Sequence, residues 1–225
     1  MTINRFISKL GAFTGEAIFN PYADLCGVFD RRDAARIRRA NLKAMLAAAI
    51  DGGARTLWVA RDLGYRGGRR TGLALTDEAH LSEASALLGG AAFKRATRGP
   101  LMAERTATVV WDTLVRINQP VMLWNVFPFH PHDAEDPMSN RSHTRKERDR
   151  TLPFLLELLD LLAPQKLIAV GRDAGAALEE FGLPVEQVRH PSYGGQTEFV
   201  RQIEALYSLS PQAQIEERES VHSLI

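Results

Sequence analysis

Thr56-Leu-Trp-Val-Ala-Arg-Asp-Leu-Gly-Tyr-Arg-Gly-Gly-Arg-Arg-Thr-Gly-Leu-Ala-Leu-Thr76 is the stretch whose reading decides the fold. Leu57 to Ala60 is a short continuous apolar run, the pattern of a strand buried on both faces of a parallel sheet. It passes directly into a loop holding a carboxylate, four glycines and four arginines. In open α/β sheets the ligand crevice lies beyond the carboxyl ends of the strands, which puts Asp62 at its mouth. Taken alone, a loop Asp such as Asp62 more often caps a helix or stabilises a turn than carries catalysis. The glycines superficially suggest a phosphate cradle, but neither the Walker pattern nor Gly-x-Gly-x-x-Gly is present.

Outward from this stretch, apolar spacing predicts helices over 33–50, 80–88, 102–117, 152–162, 173–181 and 196–207. Further strands are predicted at 121–124, 166–170 and 185–189. The alternation predicts a three-layer α/β/α sandwich around a central, mostly parallel four-stranded sheet. Residues 1–30 read as an irregular wrap of aromatics and turn formers, and the polar run 133–149 as mobile or ordered by a partner. One domain is expected over 1–208, followed by a loose tail over 209–225. Trp58 and Trp124 read as core residues of their strands.

At 225 residues, with 45% hydrophobic and 24% charged residues, the composition is that of a globular protein with one sizeable core. The formal net charge is only +1, but basic residues concentrate at 61–70 and 141–150, where a polyanion would meet them. Cys26 is the single cysteine, which excludes an internal disulfide, a cysteine-ligated iron-sulfur cluster and a Cys-rich zinc site. His130-Pro-His132-Asp133 looks like a metal-ligand set, but no further ligands stand at suitable spacing, so neither metal nor cofactor is expected. No apolar run reaches membrane-spanning length and the first residues lack a signal-peptide core, so a cytoplasmic protein off the membrane is expected.

Three predicted strands end in different polar residues: Asp62, Asn125 and His190. Parallel strands bring such ends to one rim. An acid, an amide and an imidazole on one crevice suit chemistry on a small polar ring. The amide pairs with a donor and acceptor edge, the imidazole hydrogen-bonds a departing oxyanion, and the carboxylate positions water or faces a cation.

With these residues in place, the chain resembles the uracil-DNA glycosylase superfamily. Ala60-Arg61-Asp62-Leu63-Gly64-Tyr65 stands where that superfamily carries its first motif, and Gly72-Leu73-Ala74-Leu75-Thr76 resembles the stretch that follows it. Leu123-Trp124-Asn125 resembles the strand ending in the base-reading Asn, and His190-Pro191-Ser192 matches the His-Pro-Ser opening of the last motif. The resemblance implies a metal-free monofunctional glycosylase, acting as a monomer on uracil in single- or double-stranded DNA. It implies that Asp62 orients water and faces the sugar cation, that His190 hydrogen-bonds uracil O2, and that Asn125 reads N3-H and O4. By the same resemblance Ser192 grips phosphate, while Tyr193, Gly194 and Gln196 form the loop that wedges the helix. Arg66, Arg69 and Arg70 are expected to add backbone affinity, unless they belong to a solvated loop.

The sequence departs from the family pattern at the base pocket. Gly64 replaces a tyrosine that blocks C5 methyl groups, Leu75 replaces a phenylalanine that stacks on uracil, and Leu63 replaces a proline. These changes imply a roomier pocket with broader tolerance for modified or deaminated bases. Asp77 and Glu78 read as helix caps, with assistance to Asp62 as the alternative. Two other readings stay open: a DNA-binding module of this fold with impaired catalysis, and a hydrolase of free nucleosides or nucleotides.

Overall fold

The computed structural model describes residues 1–209. In chain order its elements are α1 (Ile3–Gly11), β1 (Ile18–Phe19), α2 (Ala34–Asp51), β2 (Thr56–Asp62), α3 (Gly68–Thr71), α4 (Leu81–Leu87) and α5 (Arg105–Ile117). Then follow β3 (Val121–Phe127), β4 (His130–Pro131), α6 (Arg145–Leu162), β5 (Lys166–Val170), α7 (Arg172–Glu180), β6 (Glu186–Val188) and α8 (Gln196–Leu206). The central sheet has the order β3-β2-β5-β6 and all three pairings are parallel. The run Leu57 to Ala60 therefore lies in an interior strand, as its continuous apolar character requires.

Successive strand side chains point to opposite faces, and the two faces have separate cores. Leu57, Val59, Met122, Trp124 and Ala169 join one core with α1, α2, α6 and α7. Trp58, Ala60, Leu123, Ile168 and Val170 join the other with α5 and α8. This is the expected three-layer sandwich. Trp58 and Trp124 are both core residues, at 0% and 2% exposure.

Several local expectations are corrected. Residues 1–30 are not irregular throughout: Ile3, Phe6, Ile7 and Leu10 fall at helical spacing, Thr2 caps Arg5 N–H, and Phe6 packs on Trp124. A two-stranded antiparallel sheet of β1 and β4 was not anticipated. Helix α5 begins at Arg105, three residues later than expected, and α6 begins at Arg145, seven earlier than expected. Thr144 and Glu147 form a reciprocal capping box at its start. The run 133–149 is thus ordered by the chain itself, with Arg141 bonded to Glu147 at 2.7 Å and to the Ala17 and His132 carbonyls. The tail expected over 209–225 lies outside the described residues except for Leu209, whose N–H donates to Glu204 O.

The loop after β2 is clamped from behind. Asn41 Nδ2 donates to Thr71 O, Tyr22 hydroxyl to Gly72 O and Arg38 Nε to Arg70 O. Gly72 has φ +76°, and a Cβ there would stand 2.7 Å from Arg38 Cβ, so a glycine is required twice over. Arg38 is itself buried against Asp30 at 2.5 Å. These contacts fix where Leu73 to Leu75 re-emerge.

Candidate active site

A cleft of about 410 Å³ opens at the carboxyl ends of β2 and β5 and the segment following β6. Asp62, Leu63, Gly64, Leu75, His190, Ser192 and Tyr193 all line it. Seven residues chosen from separate motifs therefore share one cavity.

Asp62 closes β2, with its side chain 8% exposed. Arg61 Nε donates to its Oδ2 at 2.7 Å, and His143 Nδ1 meets its Oδ1. His143, its side chain 9% exposed, packs against the Phe127 ring, 5.4 Å between centroids. Both oxygens are thus held, one by an imidazole contributed by the segment expected to be mobile. Sequence reasoning missed His143. The readable signal was the Thr144-x-x-Glu147 capping box, which orders the residue immediately before it.

His190 follows β6, close to Gly171, where a Cβ would stand 3.1 Å from His190 Cβ. Ser192 N–H donates to His190 Nδ1 at 3.2 Å, and the Ser192 hydroxyl lies 2.7 Å from the same nitrogen. An Nδ1 that accepts a backbone hydrogen bond leaves the ring proton on Nε2. Burial, with Arg61 and Arg189 nearby, pushes the His190 pKa down to about 4. The imidazole is therefore neutral at pH 7, with Nε2–H as its available donor.

Asn125 is not among the residues that line the open cleft, but it stands next to one that does. It is not the last residue of its strand, as expected, since β3 continues to Phe127. It pairs in register with Ala60, a lining residue, and is 1% exposed. Neither Nδ2 nor Oδ1 has a protein partner among the described residues. Buried amides are nearly always bonded, so an idle one marks a site kept for something else.

Arg69 and Arg70 are corrected as DNA-facing residues. Arg69 is 2% exposed, its guanidinium 4.0 Å from the Phe19 ring centroid and 2.9 Å from His130 Nδ1. Arg70 lies over Phe29 and pairs with Glu78 at 3.2 Å. Arg66 is exposed and donates to the Tyr65 hydroxyl at 2.8 Å. Arg172 and Arg189, both exposed on the cleft rim, make no ion pair among the described residues. Sequence reasoning singled out neither.

His130, read as part of a metal-like set, has both nitrogens occupied. Nδ1 faces Arg69 and Nε2 faces Ser139 O at 2.8 Å. Burial and the Arg69 charge push its pKa to about 3. Asp77 and Glu78 do not line the cleft. Asp77 caps Ala79 and His80 N–H at 3.0 Å each, while Glu78 is no cap but a buried partner of Arg70 and Arg95. Two further acids line the cleft with Asp62: Asp173, which pairs with Arg61 at 2.5 Å, and Glu104, whose pKa is raised by burial with Asp77 nearby.

The loop after His190 is built to protrude. Tyr193 is 97% exposed at φ +51°, a left-handed conformation that costs a non-glycine residue free energy. Gly194 follows at φ +75°, and exposed Gln196 opens α8.

Among solved structures, the crystal structure of wild-type SMUG2 from Pedobacter heparinus is similar to this chain. The alignment covers 92% of this chain and 97% of that one, with a TM-score of 0.63 and 12% identity. The fold is uracil-DNA glycosylase-like. No family model matches the sequence, and no curated protein matches it. Among the described residues, no helix is long and apolar enough to cross a membrane.

Proposed function

We propose that the protein is a DNA glycosylase that takes uracil out of the helix and hydrolyses its N-glycosidic bond. The observation that carries this reading is the pairing, in one cleft, of an oriented carboxylate at Asp62 with a neutral imidazole at His190 whose Nδ1 is already engaged.

Dissociative cleavage leaves a cation on the sugar and an anion on the base, and each needs an opposite partner in a water-poor pocket. As the C1′–N1 bond breaks, its electron pair moves onto the base and charge grows on O2. His190 Nε2–H donates to that oxygen. Asp62 faces the sugar cation and directs a water to C1′, taking the water's proton, while His143 holds the carboxylate in place. The idle amide of Asn125 pairs with N3-H and O4 of the incoming ring, and Leu75 covers its face. Ser192, Arg172, Arg189 and Arg66 meet phosphates, and Tyr193 fills the gap left by the flipped nucleotide.

The likeness to SMUG2 supports the fold on which this rests, and the motif order and cleft chemistry support the activity. The test is incubation of pure protein with uracil-containing oligonucleotides, single- and double-stranded, followed by alkali. Strand breakage at uracil is the expected outcome. Intact strands of both kinds would overturn the reading, and salt-sensitive binding without base release would favour the impaired DNA-binding module.

A further inference from the structure

Beside Asp62 and His190, the cleft holds a carboxyl group that nothing in the described residues engages. Glu104 directly precedes α5, and its side chain lies over two glycines of the loop after β2. A Cβ at Gly64 would stand 3.3 Å from Glu104 Oε1, and one at Gly67 would collide with Oε2. The backbone of residue 104 is pinned from the other side, its N–H donating to Asp77 Oδ2 at 2.5 Å. Asp77 is fully buried, and its other oxygen holds Ala79 and His80. Two side chains are therefore missing where this acid lies, and a buried aspartate fixes its start.

Despite that construction, the Glu104 carboxyl makes no hydrogen bond or ion pair among the described residues. Arg66, whose charge acts on it, is turned to the Tyr65 ring and hydroxyl. Holding an unpaired carboxyl partly out of water is unfavourable unless a ligand supplies the donor.

We propose that Glu104 is a specificity-determining residue that sorts flipped pyrimidines by whether their C5 substituent donates a hydrogen bond. This rests on the function proposed above. There His190 takes O2 and Asn125 takes N3-H and O4, which leaves the C5–C6 edge for the remaining lining groups. A hydroxymethyl group at C5 gives its O–H to the carboxylate. A formyl group of nearly the same size presents an oxygen acceptor instead, and two acceptors repel. Gly64 and Gly67 thus do not simply enlarge the pocket; the space they leave carries a selective group.

The test measures kcat/KM on oligonucleotides bearing uracil, 5-hydroxymethyluracil or 5-formyluracil, for wild type, Glu104→Gln and Glu104→Ala. The hydroxymethyl-to-formyl ratio is expected to fall by about tenfold in Glu104→Ala, the scale of one hydrogen bond to a charged group. It should fall at least as far in Glu104→Gln, whose amide oxygen accepts more weakly from the hydroxyl while its N–H donates to the formyl oxygen. Each ratio is taken within one protein, so a reduced folded fraction cancels. Uracil release with the same ratio in all three proteins would overturn this inference alone. Release of no base by wild type would overturn it together with the proposed function.

Discussion

Replacing Asn125 by Leu sets stability against activity. Leu has the same branching at Cγ as Asn, so the change keeps the shape while removing both polar atoms. Those atoms are buried at a residue 1% exposed, in the core face shared with Ala60 and Leu123, and neither has a protein partner among the described residues. A buried polar group without a partner costs about 1–3 kcal/mol. Allowing for the slightly larger volume of Leu, the variant should gain about 2 kcal/mol. For a chain of this size that raises Tm by about 4–8 °C. Base release from uracil DNA should fall by about two orders of magnitude or more, because a site that reads an N-H and a carbonyl loses both contacts. Thermal denaturation and single-turnover base release are measured on the same sample. A lower Tm would refute the reasoning, because it would mean that the amide is already satisfied in the free protein and is not held ready for a base.

Three further outcomes are expected. Removing His143 by substitution with Ala frees one oxygen of Asp62, and single-turnover base release should slow by about 10- to 100-fold, the scale of a misplaced reacting group; an unchanged rate would show that Arg61 suffices to orient the carboxylate. Arg69→Ala should destabilise the fold by about 3 kcal/mol, through the Phe19 and His130 contacts, without altering the salt dependence of DNA binding. Arg66→Ala should instead lower the salt slope by about 1 at unchanged stability, and the opposite pattern in the two variants would contradict the burial assignment. Acid should weaken the fold, since the native pKa values of His190, about 4, and His130, about 3, both lie below the ordinary 6.5. The unfolded chain then binds protons first, so stability is full above pH 6.5 and falls as pH drops toward those values, by about 2 kcal/mol per histidine between pH 7 and pH 5. Urea midpoints that stay level across that range would contradict it.

The fold was legible because strand and helix patterns alternate with short turns, and buried parallel strands announce themselves as continuous apolar runs such as Leu57 to Ala60. Motif ends were legible for the same reason: Asp62 and His190 end strands or follow them, and parallel strands gather such positions. Helix α6 was cut short because Pro153, normally placed in a first turn, sits well inside it. That error made the preceding run look mobile and hid His143. The fate of Arg69 and Arg70 was not legible locally, because Phe19 and Phe29, the rings they pack on, arrive from far earlier in the chain. Glu104 gave no signal either. Its meaning comes from Gly64, Gly67 and Asp77, which meet it only in three dimensions.

The most direct test of the account compares single-turnover release of uracil from an oligonucleotide by wild type, Asp62→Asn and His190→Ala. Release by wild type is expected, with a loss of about 100-fold or more in each variant and DNA binding retained. Wild-type release that survives both substitutions would contradict it, because the cleft built from these two residues would then not be where the bond is broken.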